Sequence, residues 1–166
     1  MSVQKKKRKI VVVADEECIS GLVAEALRGR GYDVETTRGD FVLLGYLCFH
    51  GIDVLISDLN IKQSLNIKPL NGIKLLELFK RYSPDNPFIL FAGDSDTKAA
   101  AEAMEKGAFT FLENDETMIE NILAAVEKGR ERFAVIEEER RLAIEEADRI
   151  ILERAKAEMA KKTSHY

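Results

Sequence analysis

The chain has 166 residues, 46% of them hydrophobic and 33% charged, with a formal net charge of −4. That length and balance suit one globular core with chain left over, and they exclude a disordered polypeptide and any whole-surface attraction to nucleic acid. No apolar stretch is long enough for a spanning helix, and the amino terminus lacks the apolar centre of a signal peptide. The expectation is a cytoplasmic protein with no membrane partner. Cys18 and Cys48 have no metal-ligand spacing and read as reduced thiols packed on helices.

Residues 1–8 form a basic tail, and the run from Lys5 to Lys9 reads as a solvated charge cluster. Ile10 to Ala14 is a short apolar strand that delivers Asp15 at its carboxyl end. Glu17 to Arg30 carries Leu22, Val23, Ala26 and Leu27 at helical spacing, and Gly29 and Gly31 mark its end. Tyr32 to Thr37 alternates as a second strand. Asp40 to His50 repeats the helical pattern and stops at Gly51. Asp53 to Asp58 is a third strand, again closed by a carboxylate.

Leu59 to Leu70 has no strong period and predicts a long loop, the kind that often carries function. Asn71-Gly72 opens a helix that runs to Tyr82, with Pro84 and Pro87 beyond it. Phe88 to Ala92 is a continuous apolar run, as expected for a strand covered on both faces. Asp96 or Thr97 caps a short Ala-rich helix ending near Gly107, and Ala108 to Leu112 is a fifth strand. Strands alternating with helices predict an α/β fold, a doubly wound five-stranded parallel sheet. Asp15 and Asp58 then sit together at strand tips, where such sheets bind ligands.

Residues 116–163 contain no proline and one glycine, Gly129. As a single helix this segment spans roughly 70 Å at 1.5 Å per residue. Ile119, Ile122, Val126, Phe133, Ile136, Ala143, Ala147 and Ile150 recur in a 3-4 alternation, interrupted by Arg140 and Arg154. Glu137 with Arg141, and Glu145 with Arg149, are spaced for favourable pairing. Burial of the apolar stripe against a second copy is the simplest expectation, giving a coiled-coil homodimer. The alternative is a helix that breaks near Gly129 and folds back.

The order and spacing of several short motifs resemble the receiver domain of two-component response regulators, over about residues 8 to 115. The motifs are Lys9-Ile10-Val11-Val12-Val13-Ala14-Asp15-Glu16, Ile56-Ser57-Asp58-Leu59-Asn60, Pro69-Leu70-Asn71-Gly72, and Glu105-Lys106-Gly107-Ala108-Phe109-Thr110-Phe111-Leu112. The resemblance implies a flavodoxin-like sheet in the order 2-1-3-4-5 and a receiver-like domain over residues 9–115. It also implies a phosphoryl group received from a partner histidine kinase on Asp58. A Mg²⁺ ion would be held by Asp15, Asp58 and the main-chain carbonyl of Asn60.

Measured against that family, the chain departs at several positions. Ala14 stands where the first member of an acid pair belongs, because an ungapped comparison through Gly31 rejects Asp15-Glu16 as the pair. Ala92 replaces a hydroxyl residue, Asn114 a lysine and Asp115 a proline. Phe111 occupies the aromatic switch position, and the loop after Asp58 is longer than usual. Loss of one acid and one lysine leaves the expected pocket charge unchanged.

Two functional readings follow. One is a degenerate, non-enzymatic receiver in phosphorelay signalling that acts by protein interaction and dimerisation, with impaired or absent phosphorylation. The alternative is an orthodox Mg²⁺-dependent phosphoacceptor modified on Asp58 by a histidine kinase. A third possibility is a regulator whose extended helix couples to a separate output protein. No second helix forms a turn with the terminal one, so a nucleic-acid partner is not expected.

Overall fold

The computed structural model describes residues 9–39, 45, 51–61, 64–65, 68–69, 71–93 and 96–164. In chain order the elements are β1 (Lys9–Val13), α1 (Glu17–Gly29), β2 (Asp33–Thr37), β3 (Val54–Asp58), β4 (Ser64–Leu65) and β5 (Lys68–Pro69). They continue with α2 (Gly72–Tyr82), β6 (Phe88–Ala92), α3 (Thr97–Glu105), β7 (Thr110–Glu113) and α4 (Met118–Thr163). The basic run up to Arg8, Cys48, His50, His165 and the helix expected over Asp40 to His50 lie outside the described residues, save Gly45, which is helical.

Five strands form one parallel sheet in the order β2-β1-β3-β6-β7, which is 2-1-3-4-5 counted along the chain. Successive residues of a strand point to opposite faces, so a strand buried on both sides feeds two cores at once. Val11, Val13, Leu55, Phe88 and Leu90 face a core completed by Leu75, Leu76 and Phe79 of α2 and Ala103 of α3. Ile10, Val12, Ile56, Ile89 and Phe91 face the opposite core, closed by Val23 and Leu27 of α1 and by Met118, Ile122 and Val126 of α4. The first turns of α4 are therefore part of the sheet's packing.

Cys18, expected to be packed on its helix, is exposed, and two further expectations need adjustment. Within the stretch read as an irregular loop, β4 and β5 form a two-stranded antiparallel pair, Ser64 opposite Pro69 and Leu65 opposite Lys68. The last strand begins at Thr110 rather than Ala108 because Ala108 is engaged elsewhere. Its N–H donates to Ala103 O at 2.9 Å and that of Gly107 to Met104 O at 3.2 Å, the paired bonds that close a helix over a left-handed residue. Gly107, with φ of 96°, supplies that residue.

Helix α4 runs without a break through Gly129, so the chain does not fold back at that point. Gly129 is buried, and a Cβ placed there would lie 2.8 Å from Pro87 Cβ and 3.0 Å from Pro87 Cγ. A residue without a side chain is what lets the helix approach this closely. One residue on, the Arg130 guanidinium lies 4.8 Å from the centre of the Tyr32 ring, a cation–π contact.

The chain divides into two compact units, Met1–Glu131 and Arg132–Tyr166. In the second, every described residue from Glu137 onward is exposed. Arg141 pairs with Glu138 and Glu145, and Arg149 with Glu146 and Glu153, each arginine bridging a carboxylate on either side. Pairs as exposed as these are screened by water and add little to the stability of the helix. No helix among the described residues is long and apolar enough to cross a membrane.

Candidate functional site

The register of the sheet sets the position of each acidic group. Val13 of β1 lies beside Ser57, and Asp58 beside Phe91. Asp15, just past the end of β1, therefore shares the carboxyl-terminal rim of the sheet with Asp58. Asp15, Glu16, Ile19, Asp58, Asn60, Ile61, Asn71, Gly93 and Asn114 line one pocket there, with a volume of about 490 Å³. Asp15, Asp58, Asn60 and Asn114 are thus brought together, as their strand-end positions predict.

Asp58 is held from several directions. The Asn60 N–H donates to Asp58 Oδ1 at 2.9 Å, and the buried Ser57 hydroxyl donates to the Asp58 main-chain carbonyl at 2.9 Å. Leu59 N–H donates to Phe91 O at 2.8 Å, and Gly72 N–H to Leu59 O at 2.9 Å, so the chain after β3 is tied to β6 and to the start of α2. Gly72 leaves no room for substitution. A Cβ there would sit 2.6 Å from Asp58 O, 2.7 Å from Leu90 Cδ1 and 2.9 Å from Leu59 Cα. Asn71 caps the same helix, its Oδ1 accepting from Lys74 N–H at 2.8 Å.

Burial raises the pKa of the Asp58 carboxyl above its ordinary value of 3.8. The Asn60 amide pulls in the opposite direction, and the charges of Asp15 and Glu16 add to the rise. Glu16 is the residue that the sequence comparison excluded. The structure places it in the pocket beside Asp15. With Glu16 present, the described lining carries three carboxylates and no lysine or arginine. The balanced pocket charge expected from the sequence does not hold for these residues.

The other singled-out positions occupy the surrounding framework. Ala14 and Ala92 are almost wholly buried and belong to opposite cores of the sheet. Asn114 N–H donates to Ala92 O at 2.8 Å, anchoring the loop after β7 to the end of β6. Phe111 is partly buried against the core that contains Leu75 and Leu90. Asp115 turns away to start α4: its Oδ1 accepts from Thr117 N–H at 2.8 Å and Thr117 Oγ1 at 2.7 Å. Those bonds hold its carboxyl below the usual aspartate range.

Asp15, Asp58 and Asn60 supply hard oxygen donors to one pocket, in keeping with the sparse protein ligation of Mg²⁺, which retains several waters. Among the described residues no group of three or more His, Cys, Asp or Glu converges as a ready-made cage. The fit is to an ion bound by few protein ligands. Bound there, it would offset the carboxylates' mutual repulsion and the charge of an incoming phosphoryl group.

Comparisons with known proteins agree with this arrangement. The family model described as response regulator receiver domain matches residues 10–127. The chain is 32% identical over 104 residues to the nitrogen assimilation regulatory protein NtrX of Azorhizobium caulinodans, covering 63% of this chain and 22% of that protein. It is 32% identical over 101 residues to the DNA-binding transcriptional regulator NtrC of Escherichia coli K12, covering 61% of this chain and 20% of that protein. The chain thus spans about a fifth of the length of these relatives. Among solved structures, a response regulator receiver domain protein from Clostridium thermocellum matches with a TM-score of 0.66 at 25% identity, covering 78% of this chain and 98% of that one. The chain belongs to the response regulator receiver domain family of two-component signalling.

Proposed function

We propose that this receiver domain signals chiefly by binding other proteins, with phosphorylation of Asp58 impaired, and that it is not itself an enzyme. The observation that carries this reading is the pocket's composition. Ala92 and Asn114 stand where a hydroxyl and a lysine would be expected to contact phosphoryl oxygens. The described charged groups around Asp58 are themselves carboxylates. A phosphoryl group adds close to two negative charges and three strong acceptors. Asn114 offers a neutral donor, weaker than a charge-assisted one. In this reading residues 9–115 form the interaction module for a histidine kinase or another signalling protein. Residues 116–163 form the dimerisation segment, whose first turns also complete the core.

The orthodox reading, Mg²⁺-dependent phosphorylation of Asp58, has one observation in its favour. Asp15, Glu16 and Asp58 share a pocket, and the Asn60 amide fixes the rotation of the acceptor carboxylate. Incubation with Mg²⁺ and either acetyl phosphate or beryllium fluoride separates the two. The binding-driven reading expects no Asp58-dependent phosphoryl adduct by mass spectrometry and little change in amide chemical shifts around the pocket. A stoichiometric adduct abolished by Asp58→Asn would establish the orthodox reading instead.

Self-association is supported by Val135, Leu142, Ile144, Ile151 and Leu152, all at least half exposed on α4. Light scattering on the full chain is expected to return the mass of a dimer, and a monomer at micromolar concentration would refute it.

A further inference from the structure

The second compact unit carries a polarity that bears on how two copies would pair, an inference that rests on the self-association proposed above. Its first half, residues 132–148, holds the acids Glu137, Glu138, Glu139, Glu145, Glu146 and Asp148 against three arginines. Its second half, residues 149–163, holds Arg149, Arg154, Lys156, Lys161 and Lys162 against two glutamates. The helix is thus acidic toward its start and basic toward its end. A parallel pair sets like halves side by side, whereas an antiparallel pair sets unlike halves together.

The 3-4 seam leads to the same arrangement by an independent route. Continued along α4, it passes through Ile136, Arg140, Ala143, Ala147, Ile150, Arg154, Ala157 and Lys161. In a parallel, in-register pair each layer contains the same residue twice. Arg140 would meet Arg140, Arg154 would meet Arg154 and Lys161 would meet Lys161, while the alanine layers would leave gaps. We propose that two copies of this chain pair through α4 antiparallel, about a two-fold axis between Asp148 and Arg149.

About that axis every charged seam residue faces an alanine or an isoleucine. Ile150 of one copy faces Ala147 of the other, Arg154 faces Ala143, Arg140 faces Ala157 and Ile136 faces Lys161. The arginine stems pack over alanine while their guanidinium groups extend to solvent. Beside the seam, Ile144 of one copy meets Ile151 of the other. Glu146 and Glu153 approach across the pair, but Arg149 already bridges both within each helix. Glu137 facing Glu158 is an opposing rim contact, of a kind worth little in water. The seam arginines interrupt a parallel zipper, yet they fit an antiparallel one. The two chains then enter the paired region from opposite ends.

Site-directed cross-linking of the full-length protein tests this arrangement. In a Cys18→Ser, Cys48→Ser background, Ala143→Cys and Arg154→Cys are prepared as separate chains and mildly oxidised, alone and mixed. In the antiparallel pair two copies of residue 143 lie about 16 Å apart along the axis, beyond disulfide reach. The expected result is a disulfide-linked dimer in the mixture and almost none in either chain alone. Cross-linking of Ala143→Cys with itself would overturn the antiparallel pairing while leaving self-association intact. A dimer by light scattering that cross-links in no combination would overturn this register. A monomer by light scattering would overturn self-association and the pairing together.

Discussion

Asp58 sits between opposing influences, with burial and two acidic neighbours favouring its neutral form and the Asn60 amide favouring its ionised form. The net rise in its pKa means that the unfolded chain ionises this group more readily than the folded one. Its favourable contribution is therefore complete at low pH and is lost as pH rises through the folded-state pKa. Asp58→Asn keeps the Oδ1 acceptor and removes the charge. It should raise the thermal midpoint at pH 7 by about 1–2 °C, and the gain should vanish below about pH 3, where aspartate is protonated in both states. Thermal melts of both proteins across that range provide the measurement.

Gly72→Ala offers a second test at this scale. At an ordinary helical position the change would gain up to about 1 kcal/mol from propensity. Here the new Cβ meets the Asp58 carbonyl and Leu59 Cα, and a net loss of about 1–3 kcal/mol is expected in urea unfolding. Displaced amide signals for Asp58 and Leu59 should accompany it. The positions of Asp15, Asp58, Asn60 and Asn114 in the pocket were legible because strand ends converge in this architecture. Glu16 was not, because its role depends on where the turn after β1 directs a side chain, and motif alignment carries no such direction.

Among the elements, β1, β3 and β6 were readable as continuous apolar runs, since strands covered on both faces have no polar side to show. The β4–β5 pair was not, because two residues per strand cannot display a period. The edge of β7 was misplaced for a different reason: Ala108 is apolar enough for a strand, but its N–H is committed to closing α3. Pairing between main-chain groups, which leaves no mark on side-chain hydropathy, set that boundary. The cap of α2 was legible in Asn71-Gly72, and it is testable. Asn71→Ala removes the acceptor for Lys74 N–H, and a loss of about 1 kcal/mol is expected in chemical denaturation. Because Asn71 also lines the pocket, a comparison of Mg²⁺ binding between the two proteins separates the structural part of its role from any local one.

At the scale of the whole molecule, the place where the chain is cut matters more than its charge. A protein ending at Asn114 would lose Met118, Ile122 and Val126, all buried against the sheet. Full burial of such side chains is worth about 1.5–3 kcal/mol each. That truncation should therefore unfold or aggregate, reporting on stability rather than on association. A protein ending at Glu131 retains those residues and should melt cooperatively while remaining monomeric by light scattering. Any difference in mass between it and the full chain then belongs to residues 132–166.

The uninterrupted run of α4 through Gly129 has a consequence for how the exposed part of that helix comes to exist. An isolated helix must first order several residues for a single hydrogen bond, a step with an equilibrium factor of about 10⁻³. Residues beyond Glu131 need no such start, because the turns from Met118 to Gly129 are already ordered by their burial in the sheet's second core. The exposed stretch grows from a seed that folding of the receiver provides. Its helicity is then a property of the attached chain, and it should fall in the same transition that melts the sheet.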